Sequence, residues 1–148
     1  MVIANDQGPV EPDRVPPSRR LSEKMSTLAR TDTRPELALR SELHRLGLRY
    51  RIQVPVPGNL RRRIDIAFTR VKVAVFVDGC FWHGCQLHGT RPVTNREWWD
   101  WKFAKIQARD ADTNRLLEHE GWSVIRVWEH DNPIEAARQI ASAVRMDS

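Results

Sequence analysis

Cysteine and histidine residues that could bind a metal ion are concentrated in one short stretch of this 148-residue sequence. Cys80, Cys85 and His88 have the spacing C-x4-C-x2-H, and thiolate and imidazole groups set this close together are typical ligands of Zn2+. A closed tetrahedral site needs a fourth ligand, for which His83 and His130 are both candidates. We prefer His130, because it follows a predicted strand and would join this loop to the sheet. The alternative is a pair of reduced, buried cysteines beside surface histidines.

Two aspartates are placed where a sheet could hold a second kind of metal ion. Asp65 lies between isoleucines in a predicted strand, and Asp78 follows the apolar run 71–77. Carboxylates at adjacent strand ends can hold a hard divalent cation such as Mg2+ and leave positions for a phosphate oxygen and a water molecule. Simpler interpretations are that Asp65 pairs with one of the arginines 61–63, and that Asp78 only begins an Asp-Gly turn.

Three further residues could support hydrolytic chemistry at such a site. His83 could take a proton from a metal-bound water, and Asp110 could orient the histidine. Asp110 lies on the apolar stripe of a predicted helix, where a carboxylate requires either an ion pair or a functional role. Glu36 is the third candidate, although its spacing from Thr33 is also that of a capping box.

Aromatic side chains accompany the metal-binding stretch. Phe81 and Trp82 lie between the first cysteine and the candidate base. In an arbitrary loop they would be core anchors, but in a basic protein they could also act as wedges that enter a DNA base stack. We expect Trp98, Trp99 and Trp101, on the following helix, to serve mainly in packing.

The distribution of charge indicates a polyanionic partner. Residues 14–70 contain 14 Lys and Arg against 5 Asp and Glu, whereas residues 71–148 contain 10 against 11. The strongly basic first part of the chain favours nucleic acid as the partner. The alternative is that these residues only form a basic surface in contact with solvent. We expect no signal peptide and no transmembrane span, and the cysteines indicate a reducing compartment. Length and composition predict a flexible arm at 1–21 and one domain at 22–148.

The spacing of apolar residues predicts an α/β domain in which helices pack around one mixed sheet. Thr33 and Gly47 are placed to begin and end the first clear helix, and Thr94 with Glu97 repeats the capping-box spacing at the head of a long one. Asn132 opens the last helix. In chain order, the prediction is a short helix at 22–28, a helix at 33–47, strands at 50–56, 63–68 and 71–77, a helix at 95–120, a strand at 122–128 and a helix from 132.

These motifs together resemble the very short patch repair endonucleases (Vsr-type), over roughly residues 22–130. The Asp-Gly-Cys-Phe-Trp-His run at 78–83, flanked by metal ligands, is the most specific part of the resemblance. The other matching segments are Lys24-Met25, the helix start at 31–36, Arg63-Ile64-Asp65, Arg109-Asp110, Gly121-Trp122 and Val127-Trp128-Glu129.

The resemblance implies a restriction-endonuclease-like fold of the PD-(D/E)XK type that carries a structural zinc ion. It also implies an enzyme that uses Mg2+ to nick DNA on the 5′ side of the T in a T:G mismatch left by deamination of 5-methylcytosine. Asp65 matches the metal-binding aspartate of the family, His83 its catalytic histidine and Asp110 a carboxylate near that histidine. Glu36 matches an active-site glutamate. The residues that match DNA wedges are Met25, Phe81 and Trp82.

The sequence departs from the family pattern at two places. Val77-Asp78 stands where the best-known member has Thr-His. A backbone carbonyl can make the threonine's metal contact, so Val77 can still serve, whereas Asp78 could bind metal directly or alter the metal preference. In the zinc set, His88 is displaced by one residue and His130 replaces a common cysteine, and both remain acceptable zinc ligands.

We therefore predict a Mg2+-dependent nicking endonuclease that acts on double-stranded DNA containing a T:G mismatch. The alternatives are an endonuclease of the same fold in restriction or defence, and a zinc-stabilised DNA-binding module without catalysis. We expect a monomer in the bacterial cytoplasm that acts at the nucleoid, with mismatch-repair proteins as candidate partners.

Overall fold

The computed structural model describes residues 10–16, 19, 32–80 and 93–146. Within these residues, three helices and one four-stranded sheet follow the predicted order, which confirms the α/β architecture. The elements are α1 (Arg34–Arg45), β1 (Arg51–Val56), β2 (Asn59–Phe68), β3 (Val73–Asp78), α2 (Arg96–His119), β4 (Ser123–Trp128) and α3 (Pro133–Met146). The short helix predicted at 22–28 lies outside the described residues. In the described part of the chain, no helix is both long enough and apolar enough to span a membrane.

The strands are arranged in the order β1-β2-β3-β4. The first three are antiparallel neighbours, and β4 runs parallel to β3, with α2 as the connection between them. The parallel register pairs Asp78 at the end of β3 with Trp128 at the end of β4. Residues that follow these two strands therefore leave the sheet side by side, which places Cys80 near His130.

Helices cover both faces of the sheet. Along β3, Val73 and Val75 belong to a core cluster with α1 and α3, whereas Ala74 and Phe76 belong to a second cluster with α2. This alternation is the period-two pattern of a strand. Because both faces are buried, β3 can be a continuous apolar run rather than an alternating one.

The alternation breaks in β2 at Asp65. Ile64 and Ile66 are both fully buried, but Ile64 packs in the cluster with α2 and Ile66 in the cluster with α1 and α3. The two isoleucines therefore face opposite sides of the sheet, although residues two apart in a regular strand share one face. Gln53 lies between the β1 residues that pair with them and has a φ of +52°, so the backbone is irregular at this point. A bulky residue in this region of φ is strained, and such strain is concentrated at functional sites.

Asn95, not Thr94, is the N-cap residue of α2, so the capping box predicted there was wrong. Asn95 has a φ of +60°, which asparagine tolerates better than most residues, and its side chain does not cap the helix. Instead, Nδ2 donates to the carbonyl oxygen of Val15, and the N–H of Val15 donates to Oδ1, both at 2.8 Å. Trp98 Nε1 also donates to Glu11 Oε1 at 2.7 Å. The described part of the predicted N-terminal arm thus packs against the start of α2.

The tryptophans of α2 serve in packing, as predicted. Trp98 and Trp99 are buried with an edge-on contact of 4.9 Å between ring centroids, and Phe103 and Trp101 pack with them. The guanidinium of Arg14 lies 4.1 Å from the centre of the Trp98 ring, an additional cation–π contact between the arm and this cluster.

Asn132 is expected to stabilise α3 by capping it. Its Oδ1 accepts hydrogen bonds from the backbone N–H groups of Ile134 at 2.9 Å and Glu135 at 3.3 Å. Asn132→Ala should therefore lower the free energy of unfolding by about 1 kcal/mol, measured by urea denaturation. Gln139→Ala, at an exposed position later in the helix, is the control and should change it by less than about 0.5 kcal/mol. Equal effects of the two substitutions would argue against the cap.

Candidate active site

Asp65 lies in β2 with its carboxylate against the neighbouring strand β3. Its Oδ2 accepts a hydrogen bond of 2.9 Å from the backbone N–H of Val77, which ties this side chain to the end of β3. The simpler interpretation was an ion pair with a nearby arginine. Arg62, the middle one of that group, instead pairs with Asp112 on α2 at 2.7 Å. Asp65 is therefore held against the end of β3 by a hydrogen bond from the backbone.

The pKa of Asp65 is raised from 3.8 to about 6, chiefly because the carboxyl is buried. The hydrogen bond from Val77 acts in the opposite direction, while the negative charges of Glu36 and Asp78 raise the pKa further. The carboxylates of Glu36 and Asp78 therefore each lie close enough to Asp65 to repel its charge. A bound divalent cation would relieve both the repulsion and the cost of burial, so this donor set fits such an ion.

Metal coordination at this site would need more than side chains. In the stretches 32–80 and 93–146, no group of three or more His, Cys, Asp or Glu side chains is arranged to hold an ion by itself. Backbone carbonyl, water and phosphate oxygens would have to complete the coordination of an ion at Asp65. This is the usual arrangement for Mg2+, which keeps several waters and takes few protein ligands.

Glu36 is buried in the first turn of α1, where it pairs with Arg40. Thr33 is the N-cap residue, and its Oγ1 accepts a hydrogen bond from Glu36 N at 3.4 Å, which confirms the predicted helix start. The Glu36 carboxylate contacts Arg40 at 2.5 Å, and Arg40 also pairs with Asp32 at 2.8 Å. Glu36 is thus a buried acid, held by its own cation, within electrostatic reach of Asp65.

Gln53 faces Asp65 across the pair formed by β1 and β2. Its buried Nε2 has no hydrogen-bond partner of normal geometry among the residues described, although its side chain lies close enough to lower the pKa of Asp65. A strained backbone together with an unsatisfied buried donor is a combination that occurs often at functional sites. Sequence reasoning missed Gln53, because nothing in its neighbours indicates a left-handed backbone.

A network centred on Arg126 holds the other two aspartates of the site. Asp78 is the last residue of β3 and is buried, and its Oδ1 lies 2.9 Å from Nη1 of Arg126. Asp110, half-buried on α2, contacts the same Nη1 at 3.6 Å. Asp110 therefore has the ion-pair partner that its position required, and Asp78 is more than the start of a turn. Arg126 was missed because its role depends on which strand lies beside β4.

Cys80 and His130 meet at the end of the parallel strand pair. The Sγ atom of Cys80 lies 3.1 Å from Nδ1 of His130, close to the separation of about 3.6 Å that tetrahedral zinc imposes on a sulfur and a nitrogen ligand. The other ring nitrogen, Nε2, lies 3.7 Å from Oδ1 of Asp131, whose Oδ2 accepts a hydrogen bond from Trp128 N. Metal-bound histidines usually donate this second ring N–H to a carboxylate, and here the distance is that of an electrostatic contact. This geometry fits shared ligation of one zinc ion.

Residues 12–88, more than half of the chain, match the family described as DNA mismatch endonuclease Vsr. The chain belongs to the Vsr family. It is 42% identical over 125 residues to the type II nicking enzyme V.NaeI of Lentzea aerocolonigenes. The matched residues cover 83% of this chain and 75% of that protein. It is 38% identical over 138 residues to the type II nicking enzyme V.NmeDIP of Neisseria meningitidis serogroup C, with 90% of each covered. It is 36% identical over 111 residues to the DNA mismatch endonuclease Vsr of Escherichia coli (strain K12), with 73% and 68% covered.

Membership of the Vsr family confirms that the protein is a DNA endonuclease. The alternative of a DNA-binding module without catalysis is therefore dropped. The described residues bring Asp65 close to Asp78 at the end of β3, where Arg126 joins Asp78 to Asp110 and where Cys80 meets His130. The remaining residues predicted for the site lie outside the described part of the chain and stay predictions: Met25, Phe81, Trp82, His83, Cys85 and His88.

Proposed function

We propose that this Vsr-family endonuclease nicks double-stranded DNA on the 5′ side of the T in a T:G mismatch and requires Mg2+ for the reaction. The observation that carries the proposal is Asp65, a buried carboxylate with a pKa of about 6 that is fixed against β3. Such a group offers a hard cation one strong oxygen ligand beside open coordination positions. The choice of substrate is supported by the E. coli relative, which is named a DNA mismatch endonuclease.

Asp65 and the backbone carbonyl of Val77 would hold the Mg2+ ion. When bound, the ion supplies Lewis-acid stabilisation of the scissile phosphate. His83 takes the proton from the attacking water, and Asp110 orients the histidine. Attack on phosphorus breaks the bond to the 3′ oxygen, which takes a proton from solvent and leaves as a hydroxyl, and the other DNA end keeps the phosphate on its 5′ oxygen. Glu36 completes the acidic set and remains paired with Arg40.

A structural zinc ion is proposed at Cys80, Cys85, His88 and His130. Its support is the contact between Cys80 and His130, together with the carboxylate of Asp131 on the other side of the imidazole ring. The zinc would join the loop after β3 to the end of β4. It would thereby fix the position of the predicted base and of the predicted wedges relative to Asp65.

Recognition of the mismatch is assigned to Met25, Phe81 and Trp82. A mismatched pair is easier to unstack than a matched one, so side chains that enter the stack select it without reading every base. The basic residues of 14–70 would contact the phosphates. The proposal also includes the restriction-endonuclease-like PD-(D/E)XK fold, a monomeric enzyme in the bacterial cytoplasm, and mismatch-repair proteins as partners.

A nicking assay on two duplexes tests the proposal. The duplexes are identical except that one contains T:G and the other T:A, and each strand carries its own end label. We expect the T:G duplex to be nicked at least about 100-fold faster, in the T strand only, since unstacking differences of a few kcal/mol are available for discrimination. Equal rates would remove the claim of mismatch specificity. Cleavage that persists in excess chelator would remove the claim of Mg2+ dependence.

An endonuclease tied to a restriction system is the second candidate. It is favoured by the relatives named type II nicking enzymes, among them V.NaeI and V.NmeDIP. The same T:G mismatch placed in several flanking sequences separates the two candidates. A broad repair enzyme should nick most contexts at similar rates, whereas an enzyme serving one restriction system should prefer one context by at least about tenfold.

A further inference from the structure

We propose that Arg126 decides which carboxylates of this site are available to a divalent ion, by holding Asp78 as an ion-pair partner so that Asp65 remains the ligand. Arg126 is therefore a positioning residue that sets the metal preference of the enzyme. This inference rests on the proposed metal-dependent function and adds a residue to it. It also gives a physical role to the position where this chain departs from the family's Thr-His pattern.

The guanidinium of Arg126 is fixed by four residues. Its Nη1 lies 2.9 Å from Asp78 Oδ1 and 3.6 Å from Asp110 Oδ1. Its Nε donates a hydrogen bond of 2.9 Å to Oδ1 of Asn114. The guanidinium also lies 4.3 Å from the centre of the Phe76 ring. Phe76 is the residue of β3 that pairs with Arg126 in the sheet. A planar cation anchored in this way cannot turn from Asp78 without losing several contacts at once.

Asp78 depends on this cation because the pair is largely removed from water. The side chains of Arg126 and Asp78 are 20% and 12% exposed, so their attraction is stronger than on a surface and either charge alone would be costly. A metal ion that recruited Asp78 would break the pair and leave the guanidinium charge close to a dication. Asp65 is different, since the charged groups that act on it in the described structure are the two acids Glu36 and Asp78. Asp65 is thus the carboxylate whose charge a metal ion can compensate.

Removing Arg126 would change the chemistry of the site. Asp78, whose charge acts on Asp65, would become a carboxylate without this guanidinium. Additional oxygen ligands favour ions that accept varied coordination over Mg2+, which demands octahedral geometry and retains its waters. Loss of the guanidinium should therefore tighten the binding of divalent ions and shift the preference away from Mg2+.

The experiment measures Mn2+ binding to the full chain by the electron paramagnetic resonance signal of free Mn2+. Arg126→Met should bind Mn2+ at least about tenfold more tightly than the wild type. The double variant Asp78→Asn/Arg126→Met has the net charge of the wild type and should bind within about threefold of it, because neither protein uses Asp78 as a ligand. Arg62→Met, which removes an arginine paired with Asp112 elsewhere on the sheet, is the control for net charge and should also stay within about threefold.

Nicking gives a second measurement that a purely structural role would not change. The ratio of the rate with Mn2+ to the rate with Mg2+ should rise about tenfold in Arg126→Met, whereas general damage to the fold would lower both rates together. The double variant keeps the proposal testable where the single one fails to fold, because it removes the buried charge together with its partner.

Two results would overturn the inference. One is an unchanged Mn2+ affinity in a folded Arg126→Met protein. The other is a loss of about tenfold or more in the double variant, which is the usual effect of removing a ligand or its support and would make Asp78 a ligand in the wild type. A wild type that binds no Mn2+ would contradict the proposed metal-dependent function itself, and the basis of this inference with it.

Discussion

Asp65→Asn is expected to lower the rate of Mg2+-dependent nicking by at least about 1,000-fold while the protein stays folded. The substitution removes the charge that would hold the ion, but it keeps the shape of the side chain and an oxygen that can accept the N–H of Val77. Stabilisation of the transition state by a metal ion is worth several kcal/mol, and about 4 kcal/mol corresponds to 1,000-fold in rate. Single-turnover nicking of a T:G duplex, with protein in excess over DNA, measures the loss.

The same variant should be more stable than the wild type at neutral pH in the absence of metal. The pKa of Asp65 is about 6 in the folded protein against an ordinary value of 3.8, so the folded state binds this proton more tightly than the unfolded chain does. Stability from this group is therefore fully present below about pH 4 and is lost as the pH rises through about 6. At pH 7.5, Asp65→Asn should raise the free energy of unfolding by about 1–3 kcal/mol, and near pH 4 the two proteins should be alike.

Asp112→Asn is the matched control for both measurements. Asp112 lies on α2, and its pKa is lowered, first of all by the hydrogen bond from Arg62 and then by Arg115. A lowered pKa means that the ionised carboxylate stabilises the folded state, which is the opposite of the effect of Asp65. Asp112→Asn should therefore lose some stability at neutral pH and keep the wild-type nicking rate. Nicking by Asp65→Asn within about tenfold of the wild type would contradict the assignment of Asp65 as the metal ligand.

Cys80→Ser and His130→Ala are each expected to abolish binding of a zinc ion and to lower the thermal midpoint by about 10 °C or more. The two residues are 50 positions apart, and a cross-link that closes a loop of this length is worth about 4 kcal/mol in a chain-entropy model. A protein of this size loses about 2–4 °C for each kcal/mol. Zinc content by elemental mass spectrometry and the midpoint by scanning calorimetry measure the two effects.

A histidine elsewhere in the protein provides the comparison for the zinc variants. His119 is exposed in the last turn of α2, so His119→Ala should keep a full equivalent of zinc and shift the midpoint by less than about 2 °C. Wild-type protein purified without zinc, or a full equivalent retained by both zinc variants, would refute the proposed site.

The ends of the helices could be predicted where their signals are local. Thr33, Gly47 and Asn132 act on backbone within a few residues of themselves, and all three stand where the sequence placed them. Asn95 could not be predicted, because its side chain bonds to Val15, 80 residues away, instead of to the helix that it precedes. Gln53 was missed for a related reason, since its position opposite Asp65 depends on the pairing of β1 with β2.

For the site, residue type indicated the acids and the proposed metal ligands but not the partners of these residues. Asp65 and Asp78 are conspicuous as carboxylates at apolar strands, and His130 could be expected near Cys80 because it follows a strand. Arg126 reads as an ordinary charged residue within β4. Only the parallel register of β3 and β4 puts its guanidinium beside Asp78, and a register between segments so far apart leaves no signature in either one.

The strands β3 and β4 touch in the sheet but are separated along the chain by the whole of α2. On a translating ribosome, Asp65 and Asp78 therefore leave the exit tunnel well before Arg126 and His130 can join them. Pairing of segments so far apart must wait for a long loop to close, which makes it a late step of folding. A nascent chain thus carries the acids of the site without their arginine or the predicted zinc ligand. The acids and their arginine can therefore come together only after β4 has been synthesised and added to the sheet.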